Sequence, residues 1–380
     1  MKGEEDMVRG HIAYRRMPIE IESPGHFGYD NIKYNLSESS TRDLSFSDLD
    51  LDLKDLPFCY INHLGKPALR ELIVRGVQGI DRDDVLVTAG ASAALFIINT
   101  SLVARGEHVI VAHPNYATNV ETPRSIGGRV EFLRQEFEKQ WKVDLDSLEE
   151  MVCSGTRLVS LTSPHNPSGA AISQDDLERV IDIVEKSECY LLFDETYRDM
   201  AFVPVPPIAA TLSQRVISVF SLSKCYGLPG IRIGWLITKD KEIMETFLAA
   251  KEQIFITGSA IDEEIAYACL KRRQEILSRN MVTSKRHFHI MKDWVEEHEY
   301  LEWVEPSCGL VCFPRFKSDI AIDLDQFYAL LKNTYKTFVA PGHWFEMDQR
   351  YLRIGFAWPT AEELKRGLQC IDAAIEKTLN

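Results

Sequence analysis

The sequence predicts an α/β protein: a mostly parallel, seven-stranded sheet sandwiched by helices, with a smaller α+β domain attached. Two observations carry this. From residue 84 onward, seven short runs rich in β-branched residues (DVLVT, HVIVA, RVEFL, RLVSL, YLLFD, VISVF and RIGWLIT) alternate with amphipathic or Gly/Pro-punctuated stretches. After residue 259 that alternation gives way to a long helical pattern, then strand-like runs and a last helix.

Taken in order, most gaps between the runs are long enough for a helical crossover between parallel strands. About eleven residues separate VISVF from RIGWLIT, and they contain a Gly-Leu-Pro-Gly turn, so the last strand is expected to run antiparallel. Residues 261–297 read as one continuous helix, followed by strands near WVEP, GLVCFPRF and YLRIGFA and a helix from Ala361. The expected division is a large domain over 41–275 and a small domain formed by the arm 1–40 together with 276–380. The acidic stretch at 45–56 reads as a solvated loop or short helix.

Composition narrows the function classes. With 45% apolar and 26% charged residues over 380 positions, the chain can bury a large core. The formal charge of −14 and the lack of Lys/Arg clusters argue against nucleic-acid binding, whose affinity comes from neutralising phosphates. No apolar run approaches the ~20 residues that span a bilayer, and the opening MKGEEDMVRG is unlike a signal peptide. We therefore expect a cytoplasmic protein with no membrane partner. Eight scattered cysteines without a CxxC pair predict reduced thiols and no metal site.

Four motifs then fall at the ends of predicted strands, the edge at which open α/β sheets bind ligands. VISVF runs into Ser221-Leu-Ser-Lys224-Cys-Tyr-Gly-Leu-Pro-Gly-Ile-Arg232, which sets one lysine among hydroxyls, glycines and an arginine. Desolvation beside other cations lowers a lysine pKa, and the free amine is a nucleophile for carbonyl carbon. YLLF runs into Asp194-Glu-Thr-Tyr197, a carboxylate at the end of a buried strand that either caps a turn or meets a cation. RLVSLTS ends in Pro164-His-Asn166-Pro-Ser-Gly169, a turn whose asparagine can serve the backbone or donate to a ligand oxygen. DVLVT opens into Ala89-Gly-Ala91-Ser92, small residues starting a helix whose amides and dipole favour an anion such as phosphate.

Together, and in this order, the segments resemble the class I/II aminotransferases, pyridoxal 5′-phosphate (PLP) enzymes of the PLP-transferase fold type I, from about Asn35 to the C-terminus. The resemblance implies that Lys224 holds the cofactor covalently, that Asp194 pairs its pyridine nitrogen, and that Asn166 and Tyr197 bond its phenolic oxygen; Lys224, Asp194 and Tyr197 are the expected catalytic residues. It further implies phosphate contacts from Ala91, Ser92, Ser221 and Arg232, and ring stacking by Tyr116. Arg353, in YLRIGF, would clamp the substrate carboxylate, a planar fork on a planar anion. Tyr60, before Gly65, would reach the phosphate of a neighbouring subunit, so a homodimer acting on an amino acid and a 2-oxo acid is expected.

Among subgroups, SPHNPSGA, SLSKCYGLPGIRIGW and PGHWF look similar to capreomycidine synthase-like proteins, which work by elimination and cyclisation. The reading Asp-Glu-Thr-Tyr197 follows ordinary aminotransferases instead, since that subgroup has phenylalanine at the tyrosine. Glu38 stands where a small residue is frequent; it either faces solvent or binds a cationic substrate side chain, and it joins Arg353 and Asn166 as an expected substrate contact. His26, Phe27, His343 and Trp344 are expected to line the pocket as well.

Overall fold

The computed structural model describes residues 12–379; the acidic opening, and with it the start of the expected 1–40 arm, lies outside them. The seven runs become strands β1 (Val85–Thr88), β2 (His108–His113), β3 (Arg129–Arg134), β4 (Thr156–Thr162), β5 (Tyr190–Asp194), β6 (Val216–Ser221) and β7 (Gly234–Ile237). They form one sheet in the order β1-β7-β6-β5-β4-β2-β3. The pairs from β3 through β6 are parallel, whereas β7 is antiparallel to both β6 and β1.

Strands in the middle of the sheet are buried on both faces, and alternation divides their side chains between two cores. Leu158, Leu192, Ile217 and Val219 pack with Leu86 and Leu236 on one side. Val159, Leu161, Leu191, Phe193 and Val216 pack on the other. Each such side chain contributes roughly 1.5–3 kcal/mol by leaving water, which fixes the register that delivers every strand end to one edge. The reversal of β7 matters for the same reason. Because β7 starts where its parallel neighbours finish, the turn after β6 brings Arg232 back to that edge.

Two elements differ from the sequence expectation. The pattern over 261–297 divides into α-helices Ala260–Lys271 and Arg273–Glu296, with Arg272 between them at φ −104°, ψ 19°. No glycine or proline marks the break; a tertiary bond from Arg272 to the Asp48 carbonyl (2.5 Å) and a local one to the Glu275 carboxylate hold it. The strand expected at WVEP lies two residues earlier, at Leu301–Glu302, which pairs antiparallel with Arg315–Phe316. Burial of Leu301 and Phe316 in one core sets that register.

Beyond the large sheet, Val311–Cys312, Leu352–Gly355 and Ala340–Pro341 make a three-stranded antiparallel sheet with Leu352–Gly355 in the middle. Its core joins Phe316, Phe327 and Ile354 to Leu368 and Ile371 of the helix Ala361–Thr378, and Leu36 of the N-terminal arm inserts into it. Tyr34–Asn35 pairs parallel with Thr337–Phe338, and the Gly355 amide donates to the Leu36 carbonyl at 2.8 Å. Residues 37–39 are thereby laid alongside Arg353.

Candidate active site

One cavity of about 310 Å³ lies at the edge where the parallel strands end, and side chains from many separate segments of the chain line it. It brings together Lys224, Asp194, Asn166, Tyr197, Arg353 and Tyr116. Ala91, Ser92, Ser221 and Arg232 line it too, as does Glu38. Tyr60 does not: it is 79% exposed, on a loop away from the cavity of its own chain.

Lys224 follows the Ser221 turn, where the Ser221 hydroxyl accepts from the Ser223 amide at 3.0 Å and opens a single helical turn. Its Nζ donates to Ser39 Oγ at 3.2 Å. Burial pushes the Lys224 ammonium below its ordinary range, and the nearby guanidinium groups of Arg353 and Arg232 push the same way against the opposing charge of Glu38. A free amine is thus accessible at lower pH than for a surface lysine.

Asp194 is 5% exposed at the end of β5. One carboxylate oxygen accepts from the Thr196 amide at 3.0 Å and the other from Asn119 Nδ2 at 3.5 Å. Both donors are neutral, and burial pushes the carboxyl up despite them. Arg353 is likewise buried, donating through Nη1 to Asn166 Oδ1 at 3.0 Å and through Nη2 to the Ser37 carbonyl at 2.6 Å. Its guanidinium lies 5.1 Å from the centre of the Phe345 ring, and its Nε has no hydrogen-bond partner among the described residues. With Oδ1 occupied by Arg353, Asn166 keeps its amide N–H groups for a ligand. Tyr197 is buried beside it, and burial raises its phenol.

At the other end of the cavity the helix Gly90–Leu102 begins, with Ala91 and Ser92 in its first turn. Gly90 has φ +78°, and a side chain there would run into the Arg232 guanidinium. A Cβ on Gly234 would lie 2.6 Å from the Ala91 amide nitrogen. These two glycines let the helix start, β7 and Arg232 share one spot, where amide N–H groups, two serine hydroxyls and a guanidinium face the same volume.

These residues suit PLP. A buried carboxylate whose bonded partners are all neutral calls for a cation, which the protonated ring nitrogen provides. The donor-rich end suits a dianionic phosphate, and a desolvated amine lines the same cavity.

Several expectations need correction. His26 and Phe27 do not line the cavity; Phe27 packs 5.1 Å from the Phe338 ring, and Pro24 and Gly25 take the lining position. His343 points away, its Nε2 donating to the Glu22 carboxylate at 2.8 Å, while its neighbour Trp344 does line the cavity. Ser39, Ser223, Thr196, Tyr29 and Glu20 are lining residues that sequence reading missed. Ser39 alone had a signal, its spacing of two from Ser37 along an extended segment.

The chain is similar to proteins of known family. The chain is 28% identical over 359 residues to capreomycidine synthase of Streptomyces vinaceus, covering 91% of each protein. It is 31% identical over 186 residues to the arginine–pyruvate transaminase of Pseudomonas aeruginosa, covering 47% of each. Its fold matches the crystal structure of a PLP-dependent aminotransferase from Streptococcus suis with a TM-score of 0.87 and 27% identity, over 95% of this chain and 98% of that one. The family described as aminotransferase class I and II matches residues 58–371, and the chain belongs to that family, whose members depend on pyridoxal phosphate.

Proposed function

We propose that the protein is an aminotransferase that moves the amino group of an L-amino acid to a 2-oxo acid by a ping-pong route, as a homodimer in which Tyr60 serves the neighbouring subunit's phosphate site. The observation that supports this best is the convergence on one cavity of an amine, a buried carboxylate and a buried guanidinium already oriented by Asn166. Bound pyridoxal phosphate supplies the electron sink for charge developing at the substrate α-carbon. Lys224 would anchor the group, and its amine would take and return the proton at the substrate α-carbon. Asp194 would hold positive charge at the ring nitrogen, Tyr116 would stack on the ring, and Asn166 with Tyr197 would bond its oxygen. Arg353 binds and orients the substrate carboxylate, and Ala91, Ser92, Ser221 and Arg232 hold the phosphate.

Glu38 directs the reading of the side chain. Its Oε1 accepts from Tyr29 Oη at 3.0 Å and Asn35 Nδ2 at 3.4 Å, both neutral donors, and Glu20 lines the same cavity. Two carboxylates at the mouth, with the α-carboxylate drawn to Arg353, favour an amino acid with a cationic side chain; a similar protein is an arginine–pyruvate transaminase.

A panel of amino acids added to the purified holoenzyme tests both parts. Transamination requires stoichiometric 2-oxo acid in the first half-reaction and a new amino acid when a second oxo acid is added. Basic substrates should react best, and Glu38→Gln should cut kcat/KM for them roughly tenfold while changing aliphatic substrates little. A second reading, elimination or cyclisation, is favoured by the similarity to capreomycidine synthase over 91% of both chains. Release of water or ammonia without oxo-acid acceptor would establish that reading and exclude the first.

A further inference from the structure

At the opposite end of the sheet, where the parallel strands begin, a second group of reactive side chains comes together. His108 opens β2 and is buried; Glu131 stands on β3, Thr156 opens β4, and Cys153 lies exposed in the loop just before it. His108 Nε2 is 2.9 Å from Glu131 Oε2, so that nitrogen carries the proton and donates to the carboxylate. Nδ1 is then the lone-pair nitrogen. It faces Thr156 Oγ1 at 2.9 Å and Cys153 Sγ at 3.8 Å. Thr156 Oγ1 accepts from the Cys153 amide at 3.0 Å and stands 3.5 Å from Sγ, which fixes the thiol against the ring.

Carboxylate, imidazole and thiol in that sequence form the arrangement that activates a nucleophile: an acid fixes the tautomer, and the ring takes the proton. We propose that Cys153, activated by His108 and oriented by Glu131 and Thr156, is a modification site that reacts with small disulfides to form a reversible mixed disulfide. The Cys153 Sγ proton passes to His108 Nδ1, and the thiolate attacks one sulfur of R–S–S–R. The new bond joins Sγ to that sulfur while the old S–S bond breaks. The other half leaves as a thiolate and takes the proton from His108, so Cys153 is oxidised and one leaving thiol is reduced.

Six of the other seven thiols set the contrast. Cys189, Cys225, Cys269, Cys308 and Cys312 are buried, and burial pushes each thiol above its usual range. Cys153 moves the other way, drawn down by hydrogen bonds from Thr156 and the Gly155 backbone and by the charge of Arg129. Cys59 is exposed on an unrelated loop and serves as an internal control.

The test treats the holoenzyme with oxidised glutathione and follows adduct formation at each cysteine by intact-mass and peptide mass spectrometry. Cys153 should react roughly tenfold or more faster than Cys59. Glu131→Gln, at a half-exposed position, and His108→Gln should each bring its rate down toward that of Cys59, with the thermal midpoint recorded to show that the fold persists. Equal rates at the two cysteines, or a Cys153 rate unchanged in Glu131→Gln, would overturn the proposal.

Discussion

The two ends of the seven-stranded sheet hold polar groups under opposite terms. Where the parallel strands finish, Asp194 and Arg353 are buried with neutral partners and, among the described residues, Lys224 bonds only a serine hydroxyl, so each waits for something to complete it. Where the strands begin, His108 is buried but closed between Glu131 and Thr156, and the group answers its own hydrogen-bonding needs. Incompleteness marks the end that takes a ligand. Self-sufficiency marks the end that needs only an electrophile.

The largest way to break this contrast is to remove Lys224. Lys224→Ala takes away the anchoring amine and the proton carrier together, and a positioned acid–base group alone is worth about 10²–10⁴-fold. Turnover should fall by roughly 10⁴-fold or more, while the cofactor still binds through its phosphate contacts and elutes on mild denaturation. Persistence of turnover within about tenfold of the parent would show that another group moves the proton.

Asp194→Ala comes next. Removing a preorganised charge partner commonly costs about 10²–10³-fold in kcat. The cofactor should remain bound, and KM should change little, since Asp194 touches no part of the substrate in this reading. A large rise in KM with kcat preserved would move Asp194 from the ring nitrogen to the substrate.

Arg353→Lys keeps the charge but loses the fork that spans Asn166 and the Ser37 carbonyl. A hydrogen bond to a charged group is worth about 1.5–3 kcal/mol, so KM for the amino acid should rise roughly 10–100-fold with a smaller change in kcat. Full rescue by lysine would mean that a point charge suffices.

A pH effect follows from Lys224 itself. The unfolded chain holds the lysine proton up to the usual 10.5, while burial makes the folded chain release it earlier. Across that window the unfolded state binds more protons, so stability of the cofactor-free protein rises with pH, and the penalty is complete below the folded-state value. Denaturation midpoints between neutral and alkaline pH should rise more steeply for the parent than for Lys224→Met. Parallel curves would remove Lys224 as the source.

What the sequence revealed of the site follows from the range of its signals. Asp194 ends a buried strand, and Lys224, Asn166 and the Ala91-Ser92 turn each sit three or four residues past one, so local pattern and sheet topology suffice to place them. Ser39 and Glu20 arrive on an arm whose position is set by strand pairing with Thr337–Phe338, some 300 residues away in sequence. The break at Arg272 is hidden because contacts with Asp48 override a continuous helical pattern. The group at Cys153 is hidden for another reason: it depends on the stagger of β2 against β3, which pairs Ile110, not His108, with Glu131.

That last group yields the smallest expected effect on turnover, and it tests the contrast between the two ends most directly. Glu131→Gln removes the carboxylate that fixes the His108 tautomer yet leaves every lining residue of the active-site cavity in place. Glu131 is about half-exposed, so its loss should cost no more than roughly 1 kcal/mol of stability. Steady-state kcat and KM for the amino acid should stay within about twofold of the parent, while disulfide reactivity at Cys153 falls. If turnover fell with thiol reactivity, the two ends would be coupled through β2, β3 and β4. Modification of Cys153 would then report on catalysis as well as on the thiol.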